Sequence, residues 1–355
     1  MKVLVTGAGG FLGSALVKEL KKQGHYVRAL IRRKESAFKL RGLEVEIFIC
    51  DILNKGRLRD AVEGIDVIFH TAATVKTYAF YEKHPMEIYQ TNIEGTRNVF
   101  ETAYKTGVKK VIYTSTLDTV GKRPDGKPAD ESVQLNLLHK RIHYEKSKAQ
   151  AEEIALSYHN KGIHVVAINP GFLIGIGDSR PTDTGETIIG FLNRAYPCYF
   201  EGMIYVTALD VAVEAHIKAM EKGRSGERYI VVDPHPFTIK EIFDSLEKIT
   251  GIKAPCLRCP FPILYLFSIL NEAILLILCL KNRFHPIISS EAVKYLMMRA
   301  EYDGSKAGRE FGLKDKPFEE ALKAEVDWYM NNGYIRKSSR RLYYKKLAAL
   351  RQEGV

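Results

Sequence analysis

Cysteine is scarce: Cys50, Cys198, Cys256, Cys259 and Cys279 are the whole complement of 355 residues. An odd, scattered set excludes a disulfide-stapled secreted scaffold and fits a reducing compartment. No second Cys-x-x-Cys exists to join Cys256-Leu257-Arg258-Cys259, so a four-thiolate zinc site is excluded and no metal site is expected. His139 and His143 stand four apart, but Lys140 replaces the acidic residue of a His-Glu-x-x-His site, so they read as a surface pair. Internal repeats and low-complexity tracts are lacking. So is a charged segment followed by a long apolar run at the start, where Met1–Thr6 leads straight into a strand pattern. No secretory signal is therefore expected, and the location is taken as cytoplasmic.

Acidic charge is in deficit. The formal charge is +11, which suits anionic partners. It is unevenly spread: residues 336–355 hold seven Lys and Arg against Glu353 alone. The excess is thus mainly a tail, not a basic groove, and nucleic acid is not expected as a partner.

What is present is alternation. Lys2–Thr6, Tyr26–Ile31, Val45–Cys50, Val67–Thr71, Lys110–Thr114 and Ile163–Asn169 read as buried strands. Helical patterns such as Phe11–Gln23, Glu87–Lys105 and Tyr144–His159 lie between them. Such βαβ units predict an α/β fold, a doubly wound parallel sheet of Rossmann type with helices on both faces. A smaller, mostly helical C-terminal substrate-binding region follows. The expected division is 1–180 for the first domain, with 203–233 returning to it through strands at Ile204–Thr207 and Arg228–Val232. Residues 181–335 form the second region and 336–355 the basic tail.

The turn after the first strand is Thr6-Gly7-Ala8-Gly9-Gly10-Phe11-Leu12-Gly13. Gly7, Gly10 and Gly13 allow a tight turn and close approach of a pyrophosphate. Phe11 and Leu12 open a helix whose N-terminal N–H groups and dipole favour that anion. Further along, Tyr144 and Lys148 form Tyr-x-x-x-Lys, one helical turn apart on one face. An ammonium nearby stabilises a phenolate, so the phenol can act as acid or base near neutral pH.

Together these motifs resemble the extended short-chain dehydrogenase/reductase family. Cys50-Asp51-Ile52, His70-Thr71-Ala72-Ala73, Asn92 and Asn169-Pro170-Gly171 follow its pattern in order. The resemblance implies an NAD(P)-dependent oxidoreductase acting on a CH–OH group. It implies a cofactor cleft lined by Asp51, Ile52, Ala72, Ala73 and Pro170, with Asp51 at the adenine. Tyr144 would be the acid/base and Lys148 would hold the cofactor ribose. Thr116 would bond the substrate oxygen, with Ser115 as competitor on the opposite strand face. Asn92 would hold the proton-relay helix, or simply satisfy backbone groups. His70 reads as packing.

The second strand ends in Arg32-Arg33-Lys34, with no carboxylate before Glu35. Arginines suit a 2′-phosphate, so NADP is preferred over NAD. Within the family the chain is similar to hopanoid-associated sugar epimerases, dihydroflavonol-reductase-like and 3β-hydroxysteroid-dehydrogenase-like proteins. Sugar epimerases carry an arginine for a diphosphate where this chain aligns Glu201. That favours reduction of a lipid-like or polycyclic carbonyl. The alternatives are a nucleotide-sugar epimerase or dehydratase using bound NAD, and a non-catalytic NADP(H)-sensing protein. The oligomeric state is left open.

Residues 261–280 are apolar except for Asn271 and Glu272. As a helix they would extend about 30 Å, enough for a bilayer core, but a central carboxylate is costly in lipid. A full span, a partly embedded helix and a helix roofing an apolar pocket are the options. In the tail, Leu342, Tyr343, Leu347 and Leu350 interleave with cations, as in a helix lying on an anionic membrane surface or a solvated end. Peripheral membrane contact through 261–280 and 336–355 is accordingly an expectation.

Overall fold

A computed structural model of the chain describes residues 1–75, 86–136, 142–278, 289–297, 300–314 and 316–352. His139, Cys279, Leu280 and Glu353 lie outside the described residues. The chain groups into two compact units: residues 1–171, 209–234 and 300–315, and residues 172–208, 235–299 and 316–355.

The first unit is built on seven strands: β1 (Lys2–Thr6), β2 (Tyr26–Ile31), β3 (Glu46–Ile49), β4 (Val67–His70), β5 (Lys110–Thr114), β6 (His164–Pro170) and β7 (Glu227–Val231). They run parallel in the order β7-β6-β5-β4-β1-β2-β3. The chain winds outward from β1 one way through β2 and β3, and from β4 the other way. The switch point therefore falls between β1 and β4, where α/β sheets bind ligands beyond their strand ends. Val3–Val5, Ile68–Phe69, Val111–Tyr113 and Val165–Ile168 are all buried, because helices cover both faces. That is why these strands read as continuous apolar runs rather than alternations. The unit's helices include α1 (Phe11–Lys22), α2 (Lys55–Val62), α3 (Gly95–Thr106) and α4 (His143–Ser157). Met86–Tyr89 and a π turn, Gln90–Glu94, run on into α3. The fold class is thus as expected.

The boundaries differ. Of residues 203–233, the stretch from Leu209 returns to the first unit, carrying a helix (Leu209–Lys222) and β7. Met203–Ile204 and Val206–Ala208 stay in the second unit, paired with Phe237–Thr238 and Phe172–Ile174. Residues 300–314, expected in the C-terminal region, belong to the first unit. There Ala129 N–H donates to Glu301 O (2.7 Å) and Asp303 N–H to Ala129 O (2.9 Å). Three-residue strands carry too little periodicity to reveal their sheet.

The second unit contains α5 (Asp183–Leu192), α6 (Ile239–Thr250), α7 (Phe261–Ile277), α8 (Ser290–Met297), α9 (Phe318–Asn331) and α10 (Lys337–Gln352). Thr238 caps α6: its hydroxyl accepts from Glu241 N–H (3.1 Å) while the Glu241 carboxylate accepts from Thr238 N–H (2.8 Å). Through Gln352 the tail is helical. As α10 it buries Tyr343 and packs Leu342 and Leu347 on the apolar core of its own unit.

At the centre of this unit sit buried polar groups. Asp178 accepts from Thr182 N–H (2.7 Å) and the Tyr329 hydroxyl (3.0 Å). Glu325 accepts from Gly175 N–H (2.8 Å), and burial, reinforced by Asp178, pushes its carboxyl up to about 8. The folded chain keeps a proton that an unfolded glutamate releases near 4.5. This contribution is complete below pH 4.5 and is lost as the pH rises to about 8. Glu325→Gln cannot ionise, so thermal melts should show a shallower loss of Tm across that window than the parent chain. Parallel slopes in the two proteins would contradict the assignment.

Candidate active site

Gly7 follows β1 with φ +68°, in the left-handed region. A Cβ there would stand 2.8 Å from the backbone N and Cα of Ala72. One on Gly13 would collide with the Gly7 carbonyl, so these two sites admit only glycine. The tightness comes from β4: Thr71 Oγ1 donates to Thr6 O (2.7 Å), and Ala72 N–H donates to Thr6 Oγ1 (3.3 Å). Gly10, Phe11, Leu12 and Gly13 thus form a helix N-terminus bordered by Ala72, with Ala73 exposed beside it.

Two further predicted positions border the loop. Ala8 N–H donates to Leu30 O (3.2 Å), which places the end of β2 against it. Arg32 and Arg33 follow, both exposed, and neither pairs with a carboxylate among the described residues. Ser36 packs on Gly9. Beyond β3, Asp51 Oδ1 accepts from Leu53 N–H (2.9 Å) and Ile52 is buried against Gly95. Asn98 Nδ2 donates to Ile52 O (3.1 Å) and fixes this turn, a role with no sequence signal.

Tyr144 and Lys148, expected as the acid–base pair, lie on α4. Glu145 accepts from Ile142 N–H (3.2 Å) and closes the helix start. Tyr144 is half-buried, and the ionisation of its neighbour Tyr113 is disfavoured by burial first, then by Glu152 and Tyr144. Lys148 is buried. Its Nζ donates to the Tyr113 hydroxyl (2.9 Å) and the Thr114 carbonyl (2.7 Å), and sits 4.5 Å from the Tyr113 ring centre. Burial lowers its pKa to about 7, with the Glu152 carboxylate opposing. An ammonium has three N–H donors, so one remains beyond these two bonds.

Asn92 sits in the π turn and reaches two elements at once. Its Nδ2 donates to Ser147 Oγ (2.9 Å) and Thr74 O (3.1 Å), and its Oδ1 accepts from Thr74 N–H (2.8 Å). Ser147 Oγ in turn donates to Tyr144 O (2.7 Å). Asn92 therefore clamps the α4 turn that carries Tyr144 to the loop after β4. Insertion of a π turn is a common way to re-aim one side chain within a helix.

Thr116, just past β5, donates through Oγ1 to Asp118 Oδ2 (3.0 Å) and accepts from Asp118 N–H (3.3 Å). Its neighbour Ser115 has a buried hydroxyl without a partner among the described residues. His70 is fully buried; its ring nitrogens bond Thr6 Oγ1 (2.7 Å) and Thr96 Oγ1 (3.1 Å). Burial, aided by Lys148, lowers its pKa to about 3, so it stays neutral.

Sequence reading missed the support beneath Thr116. Asn169 Nδ2 shares its two N–H groups among Thr116 O (3.1 Å), Thr119 Oγ1 (2.9 Å) and Glu152 Oε2 (2.6 Å). Arg228, from β7, donates to Glu152 Oε1 (2.8 Å), Glu131 O (2.7 Å) and Val133 O (2.7 Å). Nothing short of the fold brings these residues together. The polar cavity of about 450 Å³ in this unit, lined by Asp130, Glu227, Lys306 and Arg309, holds none of the predicted site residues.

Fold and site define a dinucleotide-binding enzyme of the Rossmann type. The profile described as "NAD dependent epimerase/dehydratase family" matches residues 3–232. The chain belongs to that family, among the extended short-chain dehydrogenase/reductases, and is an NAD(P)-dependent oxidoreductase. It is 34% identical over 337 residues to "Putative dihydroflavonol 4-reductase" of Synechocystis sp., covering 94% of this chain and 95% of that one. It is 32% identical to "Sterol demethylase protein B" of Methylococcus capsulatus, covering 94% and 100%. The crystal structure of gox2253 superposes with a TM-score of 0.81 at 28% identity, covering 94% of this chain and 99% of that one.

The residues present fit a dinucleotide: a turn too close for any Cβ, an adjoining helix N-terminus, and a buried Ser115 hydroxyl still lacking a bond.

The buried Arg228–Glu152 pair should matter most for stability. Arg228→Ala leaves Glu152 buried and uncompensated, an expected cost of about 3–5 kcal/mol in denaturant unfolding. Arg224 pairs with Glu310 but is 59% exposed; Arg224→Ala should cost no more than about 1 kcal/mol. Equal losses would contradict this account of the site's support.

Proposed function

We propose that the chain reduces the carbonyl of a hydrophobic, lipid-like or polycyclic substrate, or oxidises the corresponding alcohol, with NADP preferred over NAD. One observation carries the reading. The buried Lys148 ammonium, one turn from Tyr144, is held by Tyr113 and Thr114 at the end of the strand that leads into Thr116. A cation, a phenol and a hydroxyl are thereby gathered in one unit.

The dinucleotide, when bound, supplies or accepts the hydride. The protein handles the oxygen and its proton. Thr116 donates to the substrate oxygen, a bond that competes with its contact to Asp118. Tyr144 Oη then transfers its proton to that oxygen as charge develops. Lys148 directs its remaining N–H toward the cofactor ribose and stabilises the Tyr144 phenolate. Asp51, Ile52, Ala72, Ala73 and Pro170 line the cofactor cleft, and Asn92 keeps Tyr144 in place.

The exposed Arg32 and Arg33 support the NADP preference, since a guanidinium can make two charge-assisted bonds to a 2′-phosphate. The names of two relatives, "Sterol demethylase protein B" and a farnesyl-dihydroquinoline oxide ketoreductase of Stigmatella aurantiaca, support an apolar substrate class. Glu201 adds weaker support: it pairs with Arg258 (2.8 Å), so its charge is partly neutralised where sugar enzymes carry a cation.

Three outcomes check the reading. NADPH should be consumed with apolar ketones; inversion of a nucleotide sugar without net cofactor change would replace it with the epimerase reading. Tyr144→Phe should lower turnover by about 100-fold or more while NADPH binding persists, and substantial activity would overturn the assignment. Arg32→Ala with Arg33→Ala should weaken NADPH binding about tenfold and leave NADH binding nearly unchanged. Equal or tighter binding of NADH by the parent chain would contradict the NADP preference.

A further inference from the structure

α7 is turned inside out. Its buried stripe is Leu264, Ser268 and Glu272, spaced four apart. Its outward side carries Ile263, Leu266, Phe267, Leu270, Ile274 and Ile277, each 45–77% exposed. A helix facing water shows the reverse pattern. The buried carboxylate explains itself: Glu272 accepts from Ser290 N–H (2.6 Å) and Ser290 Oγ (2.8 Å), capping the start of α8. The polar residue in the middle of the apolar run therefore serves the protein side of the helix.

Ile269 and Leu276 are exposed as well, and at 3.6 residues per turn the exposed apolar side chains together spread over roughly 180° of the helix. A folded partner covers a stripe, whereas a helix lying half-sunk in lipid is wetted by acyl chains over about half its girth. The flanks carry the complementary charge. Between residues 251 and 290 the cations are Lys253, Arg258, Lys281 and Arg283, and Glu272 is the single acid. Lys253 and Arg258 also pair with Glu247 and Glu201. In the same unit Arg336, Lys337, Arg341 and Lys345 are exposed. α10 brings charge but little apolar surface, because Leu342, Tyr343 and Leu347 are used in packing. Among the described residues no helix is long and apolar enough to cross a membrane.

We infer that α7 docks on an anionic lipid bilayer, its aliphatic face among the acyl chains and its Ser268–Glu272 stripe against the protein. The docking is monotopic and independent of the proposed reaction. Flotation of the full chain with vesicles tests it without any turnover. The chain should float with phosphatidylcholine–phosphatidylglycerol vesicles, about tenfold less with phosphatidylcholine alone, and less again at high salt. Leu266→Glu with Leu270→Glu changes two side chains that are more than half exposed, and should cut flotation about tenfold with near-UV circular dichroism and NADPH binding retained. Should that pair disturb the fold, Leu266→Ser with Leu270→Ser repeats the test. A parent chain that stays with the lipid-free fraction, or a folded variant that floats as well as the parent, overturns the inference. A dimer that the substitutions split, without flotation, assigns the face to a second copy and also overturns it.

Discussion

An ammonium taken out of water is tolerated only where oxygen atoms replace its hydration, and Lys148 satisfies this within β5. The Thr114 carbonyl and the Tyr113 hydroxyl take two of its three N–H donors. Both acceptors lie at the end of the strand that continues into Ser115 and Thr116. The same bonds that make the buried cation tolerable therefore fix its distance from the hydroxyls and, through α4, from Tyr144. Burial also lowers the cost of losing the proton, so this lysine is poised near neutrality rather than far above it.

The rest of the first unit can be understood as holding that arrangement still. Thr6 Oγ1, at the lip of the glycine turn, bonds His70; His70 bonds Thr96 and its ring centre lies 5.6 Å from that of Tyr113, whose phenol accepts from Lys148. A run of buried polar groups thus leads from the glycine turn to Lys148. Asn92 and Ser147 clamp the helix from the other side. Asn169, Glu152 and Arg228 brace the strand extension beneath Thr116. Networks of this kind act together, and a half-satisfied member is costly.

Local pattern made the sheet legible. Tyr26–Ile31 and Lys110–Thr114 fall where periodicity and turn residues placed them, because a strand covered on both faces has an unmistakable apolar run. The glycine turn and the Tyr144–Lys148 spacing were legible for a similar reason: each depends on residues close in sequence. What stayed hidden is long-range. Arg228 reaches Glu152 across 76 positions, and Tyr113 was an ordinary strand aromatic until Lys148 met its hydroxyl. Cys256 and Cys259 are neighbours in sequence, whereas the fold brings Cys259 to Cys198, since Arg258–Cys259 pairs with Tyr199–Phe200. The tail's cations were plain, yet its stripe of Leu342, Tyr343 and Leu347 could not say whether it met lipid or protein.

The two units depart from water-soluble norms in opposite ways. The first buries a cation and organises it; the second buries Glu272 and Ser268 and leaves aliphatic side chains outside. Each inversion is stabilised by a specific polar partner, which is why neither could be seen from composition. The claim on which the account turns is the state of the buried lysine. A carbon-13 NMR titration of Lys148 Cε, in protein labelled at lysine and assigned with Lys148→Arg, measures it directly. The account predicts a midpoint near pH 7; titration at the ordinary 10.5 would show a solvated side chain and contradict the site described above.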